Sequence, residues 1–209
     1  STGIPGNGGE AAIFAETTPG SRNPNFGFQG VVGDRVVFSA AGGQVSALSL
    51  EMSGVSYPNT LRYTTDGSEP TISSQSYFGA ISIAQTRVIR AAAFRQGYLP
   101  SPITTETSLL NTNHSLPGVS LVTEPDNLFH PVTGIYVLEE GYSGDFPYFG
   151  SNIWEDTEVP VNFAFYEPGN SDAYAFDAGT KIFGGWSRGQ DQRSLSVFAR
   201  GRYGTDEID

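Results

Sequence analysis

Apolar and polar residues alternate with a period of two most clearly between residues 61 and 94. Leu61 and Tyr63 point one way while their polar neighbours point the other, and residues 81–83 and 86–94 repeat the pattern. Asp66-Gly67 supplies the positive-φ residue that a tight turn needs. We therefore expect antiparallel strands with one buried and one wetter face, completed by a second sheet into a β-sandwich.

Further strand signals extend over the rest of the chain, whose β-branched and aromatic residues fit pleated surfaces. The segment 124–127 predicts the start of a helix, with an early Pro and acids in its first turn. The additional predicted strands are 11–15, 36–39, 47–52, 103–107, 119–123, 133–137, 159–166, 178–188 and 194–200.

Composition agrees with a mainly β protein. Among 209 residues there are 26 Gly and 13 Pro, aromatics make up 12% and charged residues only 16%, which suits short strands joined by turns. No stretch approaches the ~20 apolar residues of a membrane helix. The absence of cysteine excludes disulfides and thiolate metal sites. Because no charged-then-apolar leader precedes Ser1, we expect a processed or an internal piece.

The net charge of −11 is concentrated in the second half of the chain. Residues 111–209 hold five basic groups against fifteen acids, and residues 124–177 hold eleven acids with no Lys or Arg. Phosphate neutralisation needs a basic stripe, so we expect no nucleic-acid partner. A divalent cation or a basic partner surface is compatible with this charge.

Residues 31–110 resemble a known domain. The string Tyr-Thr-Thr-Asp-Gly-Ser-Glu-Pro-Thr at 63–71 is followed by Ile-x-Ile, by Thr-x-x-Ile-Arg-Ala-x-Ala-Phe at 86–94, and by Gly-Tyr-Leu-Pro-Ser at 97–101. This order resembles the fibronectin-III-like domain of the chitobiase/β-hexosaminidase C-terminal family. The resemblance implies a β-sandwich spacer that lies beside other domains of secreted bacterial proteins and has no chemistry of its own.

Residues 116–209 resemble the start of the spore-coat protein H (CotH) kinase family. The matching segments are 116–137, 166–169, 179–188 and 192–204, although Phe183 replaces the usual His and Arg193 the usual Lys. The resemblance implies a β-rich, incomplete kinase-like region, because the family's acidic metal ligands and catalytic loop lie further along.

These resemblances divide the chain into four parts. We expect a linker or the tail of a preceding lamin-tail-like domain at 1–28, a fibronectin-III-like β-sandwich at 29–110, a linker at 111–115 and the kinase-like region at 116–209. The lamin-tail resemblance rests on the Thr-Pro-Gly-Ser-Arg-Asn-Pro string at 18–24.

A kinase-like site needs cations on the nucleotide phosphates and carboxylates on magnesium. Candidate cofactor-binding residues for ATP and Mg are Lys181, Ser187, Arg188 and Arg193. The alternative is that the Arg residues pair with nearby acids on strand faces, and that Gly184-Gly185 forms a β-turn.

The acidic loop between Glu139 and Glu158 offers a second candidate site. Calcium takes several oxygen ligands, and the candidate ligands are Asp145, Glu155, Asp156 and Glu158. The alternative is a solvated acidic loop. The loop also carries aromatic residues, which would suit a sugar or protein contact if exposed and would close the core if buried: Tyr142, Phe146, Tyr148, Phe149 and Trp154.

The favoured functional hypothesis is a structural and binding segment of a secreted, modular bacterial surface protein, not catalytic on its own. The alternatives are the phosphate-binding half of an ATP- and magnesium-dependent protein kinase, and a calcium-stiffened adhesin or fibre subunit. A sheet that is incomplete at Asp209 would leave an open strand edge. The expected partners are therefore the remainder of the parent chain, another protein that completes this edge, or a second copy.

Overall fold

The computed structural model describes residues 1–46, 48–110, 115–168 and 173–205, and its fold is mainly β, as predicted. The strands of the first 110 residues are β1 Thr2–Gly3, β2 Ala12–Ile13, β3 Val37–Phe38, β4 Gly43–Val45, β5 Leu48–Leu50, β6 Met52–Ser53, β7 Thr60–Thr64, β8 Gln75–Ser76, β9 Ile81–Ile83, β10 Arg87–Phe94 and β11 Thr104–Leu110.

These strands form the predicted sandwich. Strands β4, β11, β10, β7 and β8 make a five-stranded sheet in that order, and the pairs β3–β6 and β5–β9 lie opposite it. Val36, Leu50 and Met52 of the second layer share one buried cluster with Tyr63 and Ile89 of the sheet. Burying both apolar faces against each other is what stabilises paired strands in water.

The predicted tight turn after β7 is confirmed. Gly67 has a φ of +88°, a conformation that costs glycine little. The carboxylate of Asp66 accepts hydrogen bonds from the hydroxyl and the backbone N–H of Ser68. These hydrogen bonds stabilise the charged carboxylate and so lower the pKa of Asp66. Asp66 is thus a turn-forming residue.

The second half of the chain is built on a four-stranded antiparallel sheet in the order β12-β13-β14-β15. The helix α1 and two short 3-10 helices lie in its connections, and a third 3-10 helix follows β15. The bounds are β12 Gly118–Val122, α1 Pro125–Phe129, β13 Val159–Tyr166, β14 Ala173–Phe183 and β15 Ser194–Phe198, with 3-10 helices at Asn152–Trp154, Trp186–Gly189 and Gly201–Tyr203. Among the described residues, none of these helices is long and apolar enough to cross a membrane.

One face of this sheet is covered at only one end. Val159 and Ile182 pack with Ile135 from the segment between β12 and β13. At the other end of the same face, Phe163 pairs with Phe176 across the strands and Tyr174 is exposed. Val119 and Leu121 of β12 continue this exposed apolar area.

Four sequence predictions need correction. Residues 133–137 form turns instead of a strand, because the N–H groups of Ile135 and Tyr136 bond back to carbonyls of α1. The predicted strand 47–52 is divided into β5 and β6, and its first residue lies outside the described residues, as do 111–114 of the predicted linker. The predicted strand 178–188 ends at Phe183, where Gly184 adopts a φ of +122°.

The fourth correction concerns β10, which was expected to have one wetter face. Ala91, Ala92 and Ala93 are all fully buried, so both faces of the strand are covered. The four-stranded sheet covers the second face: the hydroxyls of Thr107 and Ser120 are 2.9 Å apart, and the Glu124 carboxylate accepts the backbone N–H of Glu69.

Glu106 of β11 is a desolvated carboxyl at this junction. Burial raises its pKa to about 7, and hydrogen bonds from the backbone N–H groups of Gly42 and Thr107 only partly offset that cost. A side chain at Gly42 would meet the Glu106 carboxylate, so the two strands approach closely here. Tyr166 of the second sheet is an ionisable neighbour of Glu106. Burial raises the pKa of Tyr166, and the charge of Glu106 raises it further.

We predict that Glu106→Gln flattens the pH dependence of stability. The pKa of Glu106 is higher in the folded than in the unfolded chain. The contribution of this carboxyl to the free energy of unfolding is therefore fully present below about pH 4.5 and is lost as the pH rises through about 7. At pH 8 the variant should be more stable by up to about 3 kcal/mol, and at pH 4 it should be nearly unchanged. Urea unfolding across this range measures the effect.

The matched control is Glu51→Gln, which changes an exposed carboxyl of the same sandwich. Its unfolding curve should keep the pH slope of the natural chain. A Glu106→Gln protein with that same slope would show that the carboxyl is hydrated in solution.

Candidate functional site

Three of the predicted site residues come together beside the sheet. Lys181 lies on β14, Asp156 follows the first 3-10 helix and Arg188 lies in the second. Asp156 Oδ1 is 3.3 Å from Lys181 Nζ and 3.2 Å from Arg188 Nη2. The hydrogen bond from Arg188, followed by that from Lys181, lowers the pKa of Asp156. The carboxylate predicted as a metal ligand therefore pairs with two of the cations predicted for phosphate.

Arg188 and Arg193 use most of their donors on backbone carbonyls. Arg188 Nε donates to the carbonyl of Gly184 at 2.8 Å, and its Nη1 points to the carbonyls of Ile153 and Trp154. Arg193 Nε donates to the carbonyl of Arg188 at 2.7 Å, and Nη1 to that of Tyr136. The two guanidinium groups thus fix the connections around the sheet end. Ser187, which precedes Arg188 in the second 3-10 helix, is exposed.

Glu158 lies in a separate basic environment. Its carboxylate accepts hydrogen bonds from Arg200, Arg202 and Tyr203. Burial raises the pKa of Glu158, but the hydrogen bonds from Arg202, Arg200 and Tyr203 together outweigh it and hold the pKa below its usual value. Gly179 leaves the space for this arrangement, since a Cβ there would collide with Glu158 Oε1.

The remaining predicted calcium ligands are Asp145 and Glu155, both exposed. The carbonyl of Asp145 accepts the N–H of Tyr148, and the Glu155 carboxylate accepts the hydroxyl of Thr157. Within residues 1–46, 48–110, 115–168 and 173–205, no three His, Cys, Asp or Glu side chains converge as a metal site would require. Calcium binding by the four acids stays a prediction.

The aromatic residues of the same loop and Trp186 of the second 3-10 helix form two groups of contacting rings, partly or fully exposed. We define the aromatic surface as Tyr142, Phe146, Tyr148, Phe149, Trp154 and Trp186. Phe146 contacts both Tyr148 and Trp186 edge to face, with ring centroids 5.9 and 6.1 Å apart. Phe149 lies against Trp154 at 4.6 Å, and the Arg188 guanidinium is 5.5 Å from the Trp154 ring.

A groove of ≈ 240 Å³ with a mixed polar and apolar lining lies between the sandwich and the second sheet. Arg90 is buried there, donating to the carbonyl of Gly67 and pairing with Glu69 at 3.3 Å. Across the groove, Asn162 Nδ2 donates to Asp177 Oδ1 at 2.9 Å. Arg90 Nε itself has no hydrogen-bond partner among the described residues, so the guanidinium is held through its two terminal nitrogens, and these polar contacts serve the junction of the two sheets.

Sequence reasoning did not identify Trp186 or the pair of Arg90 with Glu69. Trp186 adjoins the Gly184-Gly185 turn, so a large ring at an exposed turn was the available signal. Arg90 lies on β10 and Glu69 in the loop after β7, and they meet only because β10 pairs with β7. The local spacing of the sequence carries no trace of that pair.

Comparison with known proteins identifies one part of the chain. Residues 40–105 match the family model of the chitobiase/beta-hexosaminidase C-terminal domain. This range covers the sandwich from just before β4 to the first residues of β11. No curated protein and no solved structure gave a significant match to the chain.

We predict that Arg188→Met destabilises the chain by about 2 kcal/mol, because buried carbonyls and the Asp156 carboxylate lose a charged donor. Arg35→Met, at an exposed guanidinium, serves as the control and should change stability by less than about 0.5 kcal/mol. Chemical denaturation compares the two. Equal effects would mean that Arg188 acts only as a surface charge.

Proposed function

We propose that this chain is a structural and binding segment of a secreted, modular bacterial surface protein that associates with carbohydrate. The match of residues 40–105 supports this function, because the matching domain carries the names of chitobiase and beta-hexosaminidase, both named for sugar substrates. Outside those residues the function of the segment follows from its geometry.

The geometry supports a spacer role for the sandwich. Its five-stranded sheet contributes one face to its own core and the other to the second sheet, so it holds that sheet in a fixed orientation. Thr107 bonds to Ser120, and the Tyr166 ring packs on Gly43, where a Cβ would come within 2.9 Å of it. Close backbone approach and satisfied hydroxyls give an ordered contact rather than a loose tether.

For residues 116–209 we propose the opening part of a CotH-kinase-like domain. The order β12, α1, β13, β14, β15 with a Gly-Gly turn after β14 supports it. So does the exposed apolar area of Val119, Leu121 and Tyr174, which a further layer would bury. The proposed partner is the remainder of a parent chain, another protein or a second copy of this chain. Sedimentation over a concentration series would detect association with a second copy.

A second candidate function is nucleotide binding at Lys181. One observation favours it: a strand lysine paired with a carboxylate, here Asp156 at 3.3 Å, is the arrangement that positions phosphates in protein kinases. Against it, Arg188 and Arg193 already hold backbone carbonyls. The calcium-stiffened adhesin rests on the acids Asp145 and Glu155 beside the Asp156 cluster.

Thermal unfolding distinguishes these alternatives. If Lys181 contributes to a phosphate site, ATP with Mg²⁺ should raise the Tm of the natural chain by at least about 2 °C at millimolar ligand, and Lys181→Met should abolish the shift. If the acids bind calcium, Ca²⁺ should raise the Tm and a chelator should reverse the change. If neither addition changes the Tm, both alternatives are excluded and the structural, carbohydrate-associated function remains.

The carbohydrate association is tested by retention on insoluble polysaccharides. We expect the intact chain to be retained on at least one of chitin, cellulose and β-1,3-glucan, and less on starch, while bovine serum albumin passes through. Elution by the soluble oligosaccharide of the same linkage establishes that the sugar is recognised. A chain that none of these polymers retains would contradict the proposed function.

A further inference from the structure

The aromatic surface exposes more apolar ring than folding requires. Trp186 is 66% exposed, Phe149 60% and Phe146 46%. Phe146 contacts Trp186, Phe149 contacts Trp154, and the hydrogen bond from Tyr142 to the Phe149 carbonyl joins the two groups of rings. Single exposed apolar residues are common on proteins, but clustered exposed rings mark a surface that contacts something. Leaving them in water also costs the stabilisation that burial would give.

These rings are held in place by the backbone beneath them. Trp154 Nε1 donates to the carbonyl of Pro147 at 2.6 Å, and the Tyr142 hydroxyl donates to the carbonyl of Phe149 at 2.8 Å. Tyr148 adopts a φ of +66°, which a tyrosine rarely does without surrounding support. A Cβ at Gly189 would lie 2.8 Å from the Phe146 ring. The surface is therefore organised before any ligand arrives.

The charges around these rings restrict the ligand. Asp145 and Glu155 are exposed beside them, whereas the nearby cations Lys181 and Arg188 are engaged by Asp156. An anionic polymer would meet the repulsion of these two exposed carboxylates. A ligand with hydroxyl donors and apolar C–H faces would satisfy both the carboxylates and the rings.

We infer that the aromatic surface is a binding site for a neutral, β-linked glycan, with Trp186 and Phe146, whose rings meet edge to face, as its contact platform. Equatorially substituted pyranose rings present flat C–H faces that stack on indole and phenyl rings, while their hydroxyls reach Asp145 and Glu155 at the edge. This inference rests on the proposed carbohydrate association, and it names the surface and the residues responsible.

The test uses the polysaccharide that retains the intact natural chain and compares three variants on it. Trp186→Ala should weaken retention at least about tenfold, and Trp186→Phe, which keeps a smaller ring, by less. The matched control is Phe78→Ala, since Phe78 is 95% exposed but lies on the sandwich, far along the chain from the aromatic surface. It should retain the affinity of the natural chain within about twofold.

Thermal unfolding of each variant excludes a folding defect, and Phe146→Ala provides a second, independent truncation of the platform. Retention that survives both Trp186→Ala and Phe146→Ala would overturn the inference while leaving the carbohydrate association intact. Failure of the natural chain to bind any polysaccharide would remove both. Binding to immobilised poly-L-lysine in place of the glycans would overturn the inference in favour of a cationic partner.

Discussion

The double-sided burial of β10 determines how this molecule is assembled. Ala91, Ala92 and Ala93 are fully buried because the sandwich core covers one face of the strand and the second sheet covers the other. Alanine carries little bulk, so it lets backbones approach while still burying apolar surface. Larger side chains at these three positions would push the layers apart. The relation between the two sheets is thus set by a run of small residues.

Arg90 is the electrostatic consequence of that arrangement. It lies on the face of β10 that the second sheet covers, and removing a guanidinium from water is unfavourable unless its donors find partners. Glu69 and the carbonyl of Gly67 supply two of them. Both lie in the loop whose geometry Asp66 and Gly67 establish. A local turn therefore makes a long-range contact tolerable, since it delivers the acceptors to a buried charge.

The sequence allowed the sandwich to be predicted because its determinants are local. Alternation, the Asp66-Gly67 turn and the β-branched strands are visible within windows of a few residues. The burial of both faces of β10 was not predictable, because it depends on a sheet that begins near Gly118. The turns at 133–137 were mistaken for a strand for a similar reason. The apolar Ile135 suggested a strand, but its side chain packs on Val159 and Ile182 from a turn.

The predicted site residues also show the difference between what the local sequence encodes and what only the fold determines. The alternative interpretation of the sequence was that its Arg residues pair with nearby acids. Lys181 and Arg188 do pair with an acid, but it is Asp156, which lies 25 and 32 positions away along the chain. Which acid each cation meets depends on how the loop before β13 crosses the end of β14, and no spacing rule encodes that crossing. Because Asp156 and Glu158 are occupied by cations, the acids left at the loop surface are those beside the exposed rings. The loop thereby presents exposed carboxylates together with exposed aromatic rings, and this combination gives its surface a chemistry suited to uncharged hydroxyl-rich ligands.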